Sequence, residues 1–426
     1  MTAPDRSLTE RDALVSWHPY TQHGFETARM SVAGASGARL ELTDGRRVLD
    51  AISSWWAVLH GHAEPRLIEA MVRQAQRLDH VLFAGATHEP AVALPEALVA
   101  ATPGALSRAF FSDDGSTAVE EALKMAWQSA LQRGEPQRTV FVALEGAYHG
   151  DTFGAMSIGD PDPFFRMFEP LLFSVKRVPA DAAAIAATLD ELGERALALI
   201  LEPLVQGAAR MRMHSSEVVR AARAACDRNG ALLIADEVMT GFGRTGALFA
   251  CERAGIAPDL MCLAKGLTGG FFPLSATLAT EAIFEAFLST DRRRALFHGH
   301  TFTAHPVGCA IALESLALCR ERNVPARLDA IGAGIEGALR ETLPAGAPVH
   351  DVRRTGGIVA LDLAVDEGSS YFASIGPRLR ERAIERGFLL RPLGSVLYAM
   401  PPACTTDTEA RTIGVAMAEL ACEAAG

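Results

Sequence analysis

Between about residues 65 and 320, short apolar runs and amphipathic stretches take turns along the chain, and this alternation restricts the fold more than any other feature. Residues 67–78 have helical spacing. Residues 108–112 read as a strand, and 117–131 as a helix opened by Thr117-x-x-Glu120, which predicts a capping box. Residues 139–144 and 197–201 read as strands. A helix over 216–228 is stopped by Asn229-Gly230, and strands follow at 231–235 and 260–264. Strands separated by helices need crossover connections. The expectation is therefore an α/β fold, a mostly parallel sheet covered by helices on both faces.

The pattern changes near residue 320. Residues 349–354 and 357–363 look like paired strands, 377–386 and 408–425 like helices, and 389–391 and 396–400 like short strands. Residues 1–55 read as an irregular arm carrying one hairpin, 38–42 and 47–50, turned at Asp44-Gly45. Three parts are expected: an arm over 1–55, a large domain over 56–320 and a smaller α+β domain over 321–426, with the arm packing on the last.

The chain of 426 residues has a net charge of −11. No basic face suited to nucleic acid is apparent, and the densest basic cluster, Arg292-Arg293-Arg294, reads as a solvated loop. The N-terminus lacks the apolar core of a secretory signal, and no apolar run is long enough to span a bilayer. Seven dispersed cysteines without a C-x-x-C pair point to reduced thiols and a cytoplasmic protein.

Lysine occurs only at Lys124, Lys176 and Lys265, against 37 arginines. Arginine replaces lysine as a surface cation but cannot form a Schiff base. Lys124 and Lys176 read as surface residues. Lys265 differs, because it lies between the apolar run 260–264 and the glycine-rich Gly266-Leu267-Thr268-Gly269-Gly270, where a charge is costly without a purpose.

Three further features precede Lys265. Ser112-Asp113-Asp114-Gly115-Ser116-Thr117 joins a strand to a helix and could cradle a phosphate on free N–H groups; alone it also fits a plain helix cap. Tyr148, in Gly146-Ala147-Tyr148-His149-Gly150, could lie against a planar ring, or be a loop tyrosine. Asp236 ends an apolar strand, where α/β sheets bind ligands; a carboxylate there could keep a pyridine nitrogen protonated, or cap a turn. Lys265, 29 positions later, falls at the end of a neighbouring strand. The four together point to pyridoxal 5'-phosphate with Lys265, Asp236 and Tyr148 as catalytic residues.

Gly241-Phe242-Gly243-Arg244-Thr245-Gly246 matches a dinucleotide fingerprint and would indicate a nicotinamide-dependent oxidoreductase. In that fingerprint the strand runs directly into the first glycine, whereas Asp236, Glu237 and Thr240 intervene here. The glycines read instead as a packed loop near the site. The pairs His60-x-His62 and His298-x-His300 lack a third ligand at metal-site spacing, so no metal site is expected.

The segments Trp17-His18-Pro19-Tyr20-Thr21-Gln22, Ser53-Ser54-Trp55-Trp56-Ala57, Tyr148-His149-Gly150-Asp151, Glu202-Pro203-Leu204-Val205-Gln206-Gly207, Asp236-Glu237-Val238, Lys265-Gly266-Leu267 and Arg391-Pro392-Leu393-Gly394 resemble the class III, fold type I aminotransferases along nearly the whole chain. The first two segments are similar to the branch that passes an amino group from S-adenosylmethionine to 8-amino-7-oxononanoate in biotin biosynthesis. The resemblance implies that Lys265 bonds the cofactor, Asp236 pairs with its ring nitrogen, Tyr148 stacks on the ring, and Gly115 and Ser116 bind its phosphate. It further implies a homodimer with sites at the interface, in which Thr301 reaches the phosphate of the partner subunit's cofactor. Tyr20, Trp55, Tyr148, Asp151, Gly299 and Arg391 would line the substrate pocket, with His300 near the donor and Arg391 on a carboxylate. His300 and His305 depart from residues common in relatives. Rival readings are another ω-aminotransferase using lysine, ornithine or 4-aminobutyrate, the oxidoreductase, and a non-catalytic metabolite-binding protein.

Overall fold

The computed structural model describes residues 7–25, 30–364 and 371–424. A seven-stranded sheet forms its centre: β1 (Leu106–Ser112), β2 (Val140–Leu144), β3 (Lys176–Val178), β4 (Ala196–Leu201), β5 (Leu232–Asp236), β6 (Leu260–Leu263) and β7 (Ser275–Thr280). The order across the sheet is β1-β7-β6-β5-β4-β2-β3. Strands β3, β2, β4, β5 and β6 run parallel; β7 runs antiparallel to both β6 and β1. Every residue of β4 and β6 is buried. Helices therefore cover both faces, which is why these strands read as continuous apolar runs.

Strand β7 has no counterpart in the sequence reading. Its Ser-Ala-Thr-Leu-Ala-Thr composition gives neither apolar alternation nor aromatic weight, and its burial comes from its neighbours. The helices Pro306–Glu321 and Val324–Thr342 were also not expected. The second packs on the terminal helix Asp407–Glu423.

Helix α1 (Gly115–Gln132) follows β1 and starts earlier than expected. Its cap is Asp114, whose carboxylate accepts from the Thr117 amide at 3.0 Å, while Thr117 Oγ1 accepts from the Asp114 amide at 3.1 Å. The capping box is thus Asp114 with Thr117, not Thr117 with Glu120. Glu120 instead gathers Thr152 Oγ1 (2.5 Å) and the amides of Gly154 (2.6 Å) and Ala155 (3.1 Å), so a helix residue shapes the loop after β2.

The N-terminal segment is more ordered than an irregular arm. Helix Leu8–Val15 is capped by Ser7 and Glu10. Strand Val32–Ser36 extends the expected hairpin, Arg39–Leu42 with Arg47–Asp50, and Phe388–Leu389 joins it in parallel as a fourth strand. Near the C-terminus, Val349–Thr355, Ile358–Leu363 and Val396–Ala399 form an antiparallel sheet. Within the arginine run, Arg293 is solvated, but Arg294 is tied to Gln132 and to the Ala286 carbonyl. All seven cysteines are free and five are buried. Among the described residues, no helix is long and apolar enough to cross a membrane.

The glycine-rich loop 241–246 is packed, as expected, and its centre is Arg244. That side chain is 1% exposed and donates to the carbonyls of Pro401, Trp56 and Val58 at 3.0–3.3 Å. It pins the N-terminal and C-terminal segments to the main sheet; burial pushes its pKa down to about 10. Arg244→Met is expected to cost about 3 kcal/mol or more, because buried carbonyls lose a charged donor. Urea unfolding of the purified variant measures this, and unchanged stability would refute the pinning role.

Candidate active site

A cavity of about 670 Å³ opens at the C-terminal ends of the parallel strands, where α/β sheets place ligands. Strand β5 delivers Asp236, and Lys265 follows the end of β6 with φ +44°. Strand β2 leads to Tyr148, and β1 to the α1 N-terminus. The four features separated along the chain thus meet around one space.

Asp236 is 4% exposed. Its Oδ2 lies 2.6 Å from His149 Nδ1, and its Oδ1 accepts from the Val238 amide at 3.0 Å. His149 Nε2 is buried with no partner among the described residues. Lys265 lines the cavity. Burial lowers its pKa, against the opposing pull of Asp236 and Glu202. Glu202 is fully enclosed and pushed up to about 7 by burial; it accepts from the amides of Tyr148 (3.1 Å) and Gly207 (2.8 Å). The support that His149 and Glu202 lend was not read from the sequence, although both lie within motifs quoted above.

At the other end, Gly115 and Ser116 open α1. Ser116 Oγ lies 2.8 Å from Thr152 Oγ1 and accepts from the Thr152 amide at 3.0 Å. A Cβ at Gly150, where φ is +128°, would lie 2.3 Å from Ser116 Oγ. The chain passes too closely there for any side chain. A buried carboxylate, a half-buried amine at a strand end, a helix N-terminus and an aromatic ring are the partners that a flat pyridine carrying an aldehyde and a phosphate requires. The residues present fit that group.

A polar and aromatic rim stands over the cavity. Tyr20 donates to Asp151 Oδ1 at 2.7 Å and lies 3.3 Å from Tyr148 OH, which also donates to Asp151 at 3.0 Å. Burial raises both phenols, most for Tyr20. The Arg391 guanidinium sits 4.3 Å from the Trp55 ring centre and 6.0 Å from that of Tyr20. Ser53, Ser54 and Trp56 all have positive φ. This strained turn is held by Asp50, which accepts from Ser54 N and Ser54 Oγ at 2.8 Å each. Such strain persists only where surroundings enforce it, and it clusters at functional sites. Residue types alone carried no sign of it.

Gly299 and Thr301 are exposed and lie outside the cavity lining within one chain. His300 is not part of the cavity lining; it faces Glu121, His298 and Asp113, the last of which does line the cavity.

A sequence model of the family described as "Aminotransferase class-III" matches residues 20–420. The chain belongs to the class III aminotransferases. This class III aminotransferase is 50% identical over 421 residues to the adenosylmethionine-8-amino-7-oxononanoate aminotransferase of Synechococcus elongatus, covering 95% of the chain and 97% of that relative. The crystal structure of the enzyme of that name from Methanocaldococcus jannaschii superposes with a TM-score of 0.93 at 35% identity, covering 98% of each chain. The ω-transaminase of Pseudomonas jessenii, solved in complex with PMP, gives 0.91 at 28% identity, again covering 98% of each. These fold type I neighbours and the packed glycine loop remove the ground for the oxidoreductase reading.

Proposed function

We propose that this class III aminotransferase uses pyridoxal 5'-phosphate to move the amino group of S-adenosylmethionine to 8-amino-7-oxononanoate, giving 7,8-diaminononanoate for biotin biosynthesis. The observation that carries this reading is the rim: Tyr20, Tyr148 and Asp151 share hydrogen bonds over the cavity, with Arg391 against Trp55. The near-full-length likeness to relatives of that name supports it.

The cofactor, when bound, supplies an aldehyde that takes up the amino group and an electron-poor ring. Lys265 Nζ would hold the cofactor covalently, and as a free amine it would take the proton from the amine-bearing carbon of the donor, a task suited to an amine whose pKa burial lowers. Asp236 holds a proton at the ring nitrogen, and His149 fixes that carboxylate. Tyr148 would cover one side of the ring and exclude water there, and Gly115 and Ser116 would hold the phosphate with helix N–H groups. Tyr20, Trp55, Asp151 and Gly299 shape the substrate space. Arg391 pairs with a substrate carboxylate through two parallel hydrogen bonds.

The reading includes a location in the cytoplasm and a homodimer; the exposure of Gly299 and Thr301 in one chain supports the dimer, in which Thr301 would reach the phosphate in the other subunit. It also treats 56–320 as the cofactor domain, with 1–55 and 321–426 as the smaller one, supported by the parallel pairing of Phe388–Leu389 with Arg47–Asp50.

The test is the visible spectrum of the purified protein. A yellow band is expected, bleached by S-adenosylmethionine and restored by 8-amino-7-oxononanoate. A band that responds to lysine and not to S-adenosylmethionine would overturn the donor; no band after addition of the cofactor would overturn the whole reading.

A further inference from the structure

His298 and His300 acquire in three dimensions the third partner that their sequence neighbourhood lacks. Glu121, on α1, points at both. His298 Nε2 and His300 Nε2 are 3.1 Å apart. Glu121 Oε1 lies 3.5 Å from the first and 3.6 Å from the second. The three atoms form a nearly equilateral triangle.

Hydrogen bonding accounts for one side of this triangle, the His298–His300 pair, but not for the two sides that meet at Glu121. Both contacts to Glu121 are too long for good hydrogen bonds, and neither oxygen of its fully buried carboxyl makes a well-formed hydrogen bond among the described residues. The hydroxyls of Ser112 and Thr277 lie beside this carboxyl, while their short hydrogen bonds run to Ser275 and to the Ala118 carbonyl, at 2.7 Å each. A buried carboxyl without a donor is costly. Metal ligation explains the spacing. Zinc binds imidazole nitrogen and carboxylate oxygen at about 2.0–2.1 Å in a tetrahedron, which separates its ligands by about 3.3 Å. The observed sides bracket that value.

We propose that Glu121 Oε1, His298 Nε2 and His300 Nε2 form a site for one zinc-class divalent cation, with a fourth position left open. Two imidazoles and one carboxylate match the donor set of zinc rather than that of calcium or magnesium, which take oxygen. The outer contacts are unequal. His300 Nδ1 faces Asp113 Oδ2 at 3.5 Å, the sort of carboxylate that orients a ligating imidazole. His298 Nδ1 meets Lys124 Nζ at 2.9 Å. That exposed ammonium must turn away for His298 to carry its proton on Nδ1 and ligate through Nε2. A bound cation would fasten the segment His298-Gly299-His300-Thr301 to α1, the helix whose N-terminus borders the cavity.

The holoenzyme is stripped with a chelator, loaded with Zn2+, desalted and assayed for metal by mass spectrometry, beside Glu121→Gln, His300→Asn and Lys124→Gln. About one zinc per protomer is expected in the parent protein. Glu121→Gln and His300→Asn should each weaken binding by about 100-fold or more, since outer contacts alone are worth 10–100-fold; Lys124→Gln should tighten it. Co2+ in place of Zn2+ should give the intense visible band of a tetrahedral site. No zinc retained by the parent protein, retention unchanged in His300→Asn, or only a weak octahedral Co2+ spectrum would overturn the proposal. His300 is a partly exposed loop residue, so its variant separates loss of ligand from loss of fold.

Discussion

Lys265→Ala is expected to abolish transamination, with turnover down at least about 10⁴-fold, while the protein stays folded and retains non-covalently bound cofactor. Two functions are lost together: the covalent hold on the cofactor, and the amine that carries a proton to and from carbon. Positioned acid–base groups alone contribute about 10²–10⁴-fold. Neither of the other two lysines can substitute, because Lys124 sits on the exposed side of α1 and Lys176 on edge strand β3. Removing the Lys265 side chain from the cavity wall also takes away an amine whose charged form burial disfavours, so a fall in thermal stability is not expected. The measurement is single-turnover conversion with S-adenosylmethionine beside a thermal melt. Near-normal turnover would remove Lys265 from the centre of the mechanism.

Asp236→Asn is expected to lower kcat at least about 100-fold with little change in KM, in line with losses seen when one preorganised charge-stabilising group is removed. The substitution keeps the shape of the side chain and its acceptor for the Val238 amide. It removes the charge that would keep the ring nitrogen protonated. The network can absorb the change, because the unpartnered His149 Nε2 lets the imidazole shift its proton and accept from the new amide. A cofactor that still binds, in a protein that still folds but barely turns over, separates an electrostatic role from a structural one. A KM effect without a kcat effect would point to positioning instead.

The residues assigned to chemistry were legible because each sits where local pattern changes: Asp236 and Lys265 where apolar strands stop, Gly115 and Ser116 where a helix begins, Tyr148 between glycines. Such transitions are written in neighbouring residues. What stayed hidden depends on distant partners. Ser-Ala-Thr-Leu-Ala-Thr becomes β7 only because β1 and β6 flank it. The strained turn at Ser53–Trp56 exists because Asp50 and the packing around it hold it. Glu121 reads as one more polar helix residue until two histidines some 180 positions later fold against it. The capping box was misplaced by three residues for a local reason, since Asp114 competes successfully for the Thr117 amide and frees Glu120 for the loop.

The single reversed strand has a consequence for the order of events during synthesis. In the finished sheet, β1 borders β7 and no other strand, and Ser112 meets Ser275 across 163 positions. Once Lys265 has left the ribosome but β7 has not, the Gly115–Ser116 turn, Asp236 and Lys265 are all free of it, yet β1 still has no sheet edge to join. Until β7 emerges, one half of the cofactor cradle is unattached to the other. On the proposed reading, cofactor capture is therefore a late event in the life of the nascent chain, and an aborted fragment ending before residue 275 is expected to lack the assembled cradle.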